Sequence, residues 1–293
     1  MNINQALAKS KKKLKAKKID NVDLEAGLLL AHCLKKPREF LFTHPEKELS
    51  LPESMKFIVA LARRISGVPL AYLVGRKEFY GLDLLVNKNV LIPRPETELM
   101  VNEALKIAAN FEKVNFIDIG TGSGCITVAL GKNWEKSDLY ALDISPKALE
   151  TAKKNAKKHK LSARIEFIRS NLLREMMKKK FNEPAIILAN LPYLTPKQVK
   201  DSKTIKKEPQ LALLGGDDGL DYYHLLFKQI RVSKISNPLF LLCEIDESQP
   251  EKIKRLIEDE LPSADYEIKK DLSGSYRLAV IMIPGKKRPP IKL

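Results

Sequence analysis

Three short segments carry residue types suited to chemistry. The first is Asp118-Ile119-Gly120-Thr121-Gly122-Ser123-Gly124, which ends the apolar run Val114 to Ile119. Glycines at alternate positions let the chain turn sharply after a strand and bring bare backbone N–H groups against a ligand at the next helix N-terminus. The spacing narrows the choice of ligand. A dinucleotide fingerprint requires Gly-x-Gly-x-x-Gly, yet the third glycine position is occupied by Cys125, and no Gly-Lys-Ser/Thr follows to complete a phosphate-binding loop. The second segment is Asp143-Ile144-Ser145-Pro146, where a carboxylate ends the next apolar run and Ser145 before Pro146 supplies a helix N-cap. The third is Asn190-Leu191-Pro192-Tyr193, just beyond the apolar run Ala185 to Ala189.

The elements that position these segments follow from periodicity. From Asn4 to about Ser66 apolar residues recur at helical spacing, as at Leu24, Leu28, Leu29, Ala31 and Leu34 and again at Ile58, Leu61 and Ile65. Between Tyr72 and Ile92 the pattern partly alternates, with Gly75 and Gly81 as breakers, which predicts a β-hairpin between two domains. Pro93 and Pro95 mark a boundary, and a helix is expected from about Glu96 to Asn110. Strands and helices then alternate: strand Val114 to Ile119, helix Cys125 to Asn133, strand Ser137 to Leu142, helix Pro146 to His159 and strand Ile165 to Ile168. Further strands are expected at Ala185 to Ala189 and Leu239 to Ile245, with Tyr266 to Lys270 and Leu278 to Ile283 as a terminal hairpin. Such alternation specifies parallel βαβ units with right-handed crossovers, an α/β doubly wound sheet. Ligands bind these sheets outside the carboxyl ends of the strands, where all three segments fall.

The Gly-x-Gly-x-Gly loop after an acidic strand end resembles the nucleoside-binding loop of class I S-adenosylmethionine-dependent methyltransferases. Under that resemblance Gly120, Thr121, Gly122, Ser123 and Gly124 cradle S-adenosyl-L-methionine, and Asp143 accepts hydrogen bonds from the two ribose hydroxyls. Asn171 and Leu172 follow the third strand of this domain and are expected beside adenine. Asn190-Leu191-Pro192-Tyr193 resembles the Asn-Pro-Pro-Tyr motif of methyltransferases acting on planar amide or amino nitrogens. An amide nitrogen is a poor nucleophile because its lone pair is delocalised, so it must be held closely at the methyl group. The Asn190 side-chain oxygen and a nearby backbone carbonyl can accept its two N–H groups, and Tyr193 offers a flat face. Asn190 and Tyr193 are the expected catalytic pair, with Leu191 and Pro192 completing the substrate turn, and Asn190 is also expected to border the cofactor.

The sharpest match is Leu91-Ile92-Pro93-Arg94-Pro95-Glu96-Thr97-Glu98, which resembles the linker of the release factor glutamine methyltransferases, the HemK or PrmC family. Gly67-Val68-Pro69-Leu70-Ala71-Tyr72-Leu73, Glu78-Phe79-Tyr80-Gly81-Leu82 and Glu208-Pro209-Gln210-Leu211-Ala212-Leu213 accompany it. The resemblance implies a mostly parallel, seven-stranded Rossmann-like methyltransferase sheet. It divides the chain into a helical substrate-recognition domain at 1–74, a hairpin linker at 75–95 and a methyltransferase domain at 96–293. The implied activity is methylation of the glutamine side-chain amide in the Gly-Gly-Gln loop of peptide chain release factors. Three positions depart from the family pattern: Leu191 stands in place of proline, Asn171 in place of aspartate, and Asp246 in place of the glycine after Glu244-Ile245.

Composition bounds the alternatives. The 293 residues are 44% apolar and 30% charged, enough for a sizeable core, and no run approaches the ~18 uncharged apolar residues of a membrane helix. Lys and Arg number 52 against 36 acidic residues, a net charge of +16. Seven lysines lie between Lys9 and Lys18, a footprint suited to RNA or a ribosome-associated partner or else a solvated lysine-rich face. Cys33, Cys125 and Cys243 are widely spaced without zinc-ligand spacing, so no metal site is expected, and buried reduced thiols in a cytoplasmic protein explain them; a monomer is the default expectation. Two other readings stay open. One is methylation of an exocyclic amine such as adenine N6 in nucleic acid, since the same four-residue motif suits a flipped base; the other is a translation-associated binding protein with weakened catalysis.

Overall fold

A computed structural model describes residues 1–202, 205–235 and 238–284. The chain divides into two compact units, Met1–Arg76 and Lys77–Leu293.

The first unit is helical: α1 (Ile3–Ala16), α2 (Val22–Leu34), α3 (Glu39–Thr43), α4 (Leu51–Ile65) and α5 (Leu70–Val74). Local side chains start α1 and α4. Asn2 accepts the Gln5 backbone N–H at 2.9 Å while the Gln5 side chain accepts that of Asn2, and Ser50 with Glu53 repeats the same reciprocal cap at α4. Ile3 and Leu14 of α1, Leu29 and Leu30 of α2 and Phe57 and Leu61 of α4 form the buried core. The Arg64 guanidinium clasps both carboxylate oxygens of Glu25 at 2.6 and 2.9 Å, tying α4 to α2. Leu51, Met55, Ile58 and Val59 of α4 are exposed and share one helical stripe.

A hairpin of β1 (Arg76–Phe79) and β2 (Leu82–Leu85) opens the second part of the chain. Its two-residue turn, Tyr80-Gly81, holds φ at +53° and +69°, the left-handed geometry that matches the twist of paired strands. The hairpin is shorter than expected. Tyr72 belongs to α5, started by Pro69, and the chain after Leu85 leaves the pairing to line a cavity. The expected helix at Glu96 begins as a 3-10 turn, Pro95–Thr97, and continues as α6 (Glu98–Ala108).

Then follow β3 (Val114–Ile119), α7 (Cys125–Asn133), β4 (Ser137–Asp143), α8 (Pro146–Lys158), β5 (Ile165–Arg169) and β6 (Ala185–Ala189). The chain continues through α9 (Pro196–Asp201), α10 (Asp221–Val232), β7 (Leu239–Glu244), α11 (Pro250–Glu260), β8 (Asp265–Lys270) and β9 (Tyr276–Ile283). Among the described residues the sheet has seven strands in the order β5-β4-β3-β6-β7-β9-β8, parallel except for β9. β3, β6 and β7 are buried at every position, as strands covered by helices on both faces must be. The chain winds outward through β3, β4 and β5, then returns to pair β6 on the other side of β3. That reversal opens a crevice at the carboxyl ends of β3 and β6. Among the described residues no helix is long and apolar enough to cross a membrane.

Candidate active site

The loop after β3 and the turn after β6 meet at this crevice. A Cβ placed on Gly120 would lie 3.3 Å from Leu191 Cδ2 and 3.9 Å from the Asn190 carbonyl oxygen, so only glycine leaves the two segments this close without strain. Gly120 and Gly124 both have positive φ, and behind Gly124 a Cβ would press to 3.0 Å from that of Ala152 on α8. A cavity of about 300 Å³ results. Its walls include Gly120 to Ser123, Asp143, Asn171 and Leu172, Asn190 to Pro192, and the stretch Lys88 to Arg94.

The glycine loop is held from beneath. Asp118, the last residue but one of β3, is buried, and its Oδ2 accepts the hydroxyls of Thr121 at 2.7 Å and Thr127 at 2.6 Å. Burial raises its pKa to about 6 against those hydroxyls. Thr121 therefore contributes backbone to the cavity while its side chain points inward. Asp143 accepts the Gly122 N–H on Oδ2 at 2.9 Å and the Ser145 N–H on Oδ1 at 2.8 Å. Burial raises its pKa, and those two backbone donors oppose the shift. Each oxygen keeps a lone pair for a further donor. Ser145 caps α8 as expected, accepting the Ala148 N–H at 3.3 Å.

In the turn after β6 the Asn190 amide is fully committed on its nitrogen side. Nδ2 donates to Thr97 Oγ1 at 3.1 Å and to Glu244 Oε2 at 3.0 Å, and Oδ1 accepts from no described residue. Glu244, 2% exposed at the end of β7, also accepts the Tyr193 hydroxyl on Oε1 at 3.3 Å. Tyr223 of α10 ties the strand ends together: its hydroxyl accepts the Leu191 N–H at 3.4 Å and shares its proton between the carbonyls of Ala189 and Glu244. Gln249 donates to the Tyr193 carbonyl at 3.1 Å, and Gly215 and Gly219 pack directly against the Pro192-Tyr193 backbone. Arg94 reaches Glu208 at 2.5 Å, and the same carboxylate accepts the Ile92 N–H at 3.1 Å, closing the rim. Periodicity and motif reading pass over Thr97, Tyr223, Glu244 and Gln249 as site residues. The one signal for the glycine contacts was the cluster Gly215, Gly216 and Gly219 within five residues.

Tyr193 is half-buried and is not among the residues lining the cavity, whereas Tyr222 is. Two of the three departures have a local structural account, and nothing in the structure explains asparagine in place of aspartate at 171. Leu191 is buried and offers the backbone N–H that Tyr223 accepts, a donor that proline lacks. Asp246 needs no glycine conformation, since its φ is not positive; its Oδ1 accepts the Ser248 N–H at 3.0 Å ahead of α11. Asn171 lines the cavity, and Gln229 fixes its turn by donating to the Asn171 carbonyl at 3.3 Å and accepting the Leu173 N–H at 2.7 Å. Leu172 adopts φ +53° within that turn. Burial pushes the Cys125 thiol up to about 12, so it stays protonated beside the cavity.

Burial likewise raises Glu244 from an ordinary 4.5 to about 7. A carboxyl that holds its proton more tightly when folded adds stability below its unfolded pKa and loses it as pH rises through the folded one. Between pH 4.5 and 7 this group should therefore withdraw on the order of 3 kcal/mol of folding stability. Urea titrations of the native protein and of Glu244→Gln across that range should show a steeper decline in the native protein; parallel curves would refute the assignment.

The sheet order and the glycine loop define a class I methyltransferase fold. A family model described as the PrmC N-terminal domain matches residues 5–75, and one described as the methyltransferase small domain matches residues 96–207. The release factor glutamine methyltransferase of Koribacter versatilis is 36% identical over 291 residues, covering 96% of this chain and 98% of that protein. Its counterpart in Bacillus cereus is 33% identical over 262 residues, covering 87% and 91%. The chain spans about half of the bifunctional methyltransferase of Rickettsia bellii, at 33% identity over 82% of this chain and 48% of that one. This chain belongs to the release factor glutamine methyltransferase family. Among solved structures, the hMettl16 catalytic domain in complex with a MAT2A 3′UTR hairpin shares the fold at TM-score 0.55 and 16% identity, covering 90% of this chain and 95% of that one. A methyltransferase from Pyrococcus furiosus does so at TM-score 0.50 and 16% identity, covering 76% and 97%.

The residues present fit the cofactor of this class, S-adenosyl-L-methionine. A side chain at Gly120 would crowd the cradle toward Leu191, while Gly124 lies behind the lining against Ala152, and Asp143 stands at the cradle's edge with lone pairs available for hydroxyl donors. The apolar wall of Ile126, Leu172 and Leu191 suits a flat heterocycle.

Proposed function

We propose that the protein methylates the side-chain amide nitrogen of the glutamine in the Gly-Gly-Gln loop of peptide chain release factors. One observation carries the reading: both hydrogens of the Asn190 amide are spent on Thr97 and Glu244, which leaves Oδ1 to accept an N–H from a planar amide. When bound, S-adenosyl-L-methionine supplies a methyl group on an electrophilic sulfonium. The protein's own part is positional. Gly120 to Gly124 and Asp143 hold the cofactor, Asn171 and Leu172 flank its base, and Asn190 with Leu191, Pro192 and Tyr193 sets the amide nitrogen at attack distance. The nitrogen's proton leaves to water afterwards, so no side-chain base is required.

Residues 1–74 serve in this reading as the substrate-recognition domain, 75–95 as the hairpin linker and 96–293 as the methyltransferase domain. The exposed stripe Leu51, Met55, Ile58 and Val59 on α4 supports docking of a protein surface. Exposed lysines of α1, including Lys9, Lys12, Lys13 and Lys15, suit the ribosome or RNA near which release factors work. The protein acts as a cytoplasmic monomer in this account.

Incubation with methyl-labelled S-adenosyl-L-methionine and either a release factor or bulk nucleic acid tests the substrate class. Label on the release factor is expected, and label on nucleic acid alone would overturn the reading. Asp143→Ala should weaken cofactor affinity by roughly 10- to 100-fold, the effect of losing charge-assisted hydrogen bonds. Titration calorimetry measures this, and unchanged affinity would remove Asp143 from the cofactor site.

A further inference from the structure

We propose that Glu244 is a positioning residue that locks the Asn190 amide in the single orientation turning Oδ1 toward the cavity. The proposal deepens, and rests on, the reading of the site as one for methyl transfer to an amide nitrogen.

An asparagine amide rotated by half a turn keeps its shape and exchanges its donor end for its acceptor end. Only one of these states is useful here. With Oδ1 facing the cavity, Asn190 accepts a substrate N–H; with Nδ2 there, two donors would face each other. Selection between the two states has to come from whatever lies behind the amide. An ionised carboxylate accepts only, so Glu244 Oε2 at 3.0 Å favours Nδ2 and repels Oδ1. Thr97 Oγ1 at 3.1 Å takes the second Nδ2 hydrogen, and its own proton is available to Glu244. The other carboxylate oxygen accepts the Tyr193 hydroxyl, so one buried group holds both members of the expected catalytic pair.

The sheet register builds this arrangement into the fold. Ala189 pairs with Cys243 across β6 and β7, which places the next residues side by side, Asn190 just past β6 and Glu244 at the end of β7. A glutamine at 244 would fill the same volume and bond Asn190 in either amide state, because it carries both a donor and an acceptor. Directionality is what the costly burial of a charge adds. The titratable and charged groups around Glu244 are Arg277 on β9, Glu96 before α6, Cys125 on α7, Tyr193 and Tyr223 on α10.

The test combines kinetics with a readout that needs no turnover. Wild-type protein is first assayed for methyl transfer to a release factor; failure there overturns the functional reading and leaves the second measurement interpretable. Wild-type kcat should rise with pH through the neutral range; in Glu244→Gln, kcat should fall at least ~10-fold with KM for both substrates nearly unchanged and show no such rise. In nitrogen-15 spectra of the cofactor-free protein, the Asn190 side-chain amide pair, assigned by its loss in Asn190→Ala, should shift with pH about a midpoint near 7. That shift should vanish in Glu244→Gln. Wild-type kcat and pH profile in Glu244→Gln, or an Asn190 amide pair that ignores pH, would overturn the proposal. If Glu244→Gln does not fold, the wild-type titration alone decides it.

Discussion

Asn190→Ala should lower kcat by more than roughly tenfold while the affinity for S-adenosyl-L-methionine stays near its original value. The reason is geometric. Asn190 takes no part in the Gly122 to Asp143 contact, and its free Oδ1 is the acceptor left for a substrate amide. Removing it leaves the cofactor cradle intact but lets the incoming nitrogen drift from the line of attack. Truncation also strands Glu244 without its Nδ2 partner, which adds a cost to stability and should lower the melting temperature by a few degrees. Steady-state kinetics with calorimetric cofactor titration separate the two effects. Equal loss of turnover and cofactor affinity would move Asn190 into the cofactor site.

Gly219→Ala should be the most damaging single substitution outside the cavity wall. Gly219 has φ +80°, and a Cβ there would collide with the Tyr193 carbonyl oxygen and lie 3.1 Å from its carbon. Both obstacles are backbone, so relief requires moving the Asn190 to Tyr193 turn itself. The expected cost is about 3 kcal/mol of stability, through left-handed strain and overpacking together, and activity should fall roughly a hundredfold. Gly67→Ala is the matched control. Its φ is +96° yet nothing lies within 4 Å of the added Cβ, so it should show strain alone and retain activity. Equal activity loss in both variants would mean that backbone strain, and not displacement of the turn, is responsible.

Much of the sheet was legible because each parallel strand is a closed local signal. The runs Val114–Ile119 and Ala185–Ala189 and the helix Cys125–Asn133 stand where apolar periodicity and the flanking Gly and Asn residues place them. α10 and α11 were not anticipated, although Tyr223, Leu226, Phe227 and Ile230 recur at helical spacing. The Gly-Gly-x-x-Gly cluster before α10 reads as loop, and its packing behind the Pro192-Tyr193 backbone exists only once the chain has folded. The site divides along the same line. The glycine loop, Asp143 and Asn190 belong to short segments whose spacing carries meaning. Thr97 and Glu244 reach Asn190 from 93 and 54 residues away, and Tyr223 of α10 bonds its neighbours Ala189 and Leu191. No local pattern encodes such pairings.

The most direct test of the central claim is tandem mass spectrometry of a release factor after incubation with the purified protein and S-adenosyl-L-methionine. A single methyl group on the side-chain nitrogen of the Gly-Gly-Gln glutamine, absent when that glutamine is replaced, is the predicted result. A methyl group elsewhere on the factor, or an unmodified factor in the presence of demonstrated cofactor binding, would contradict the assignment of Asn190 as the acceptor for a glutamine amide.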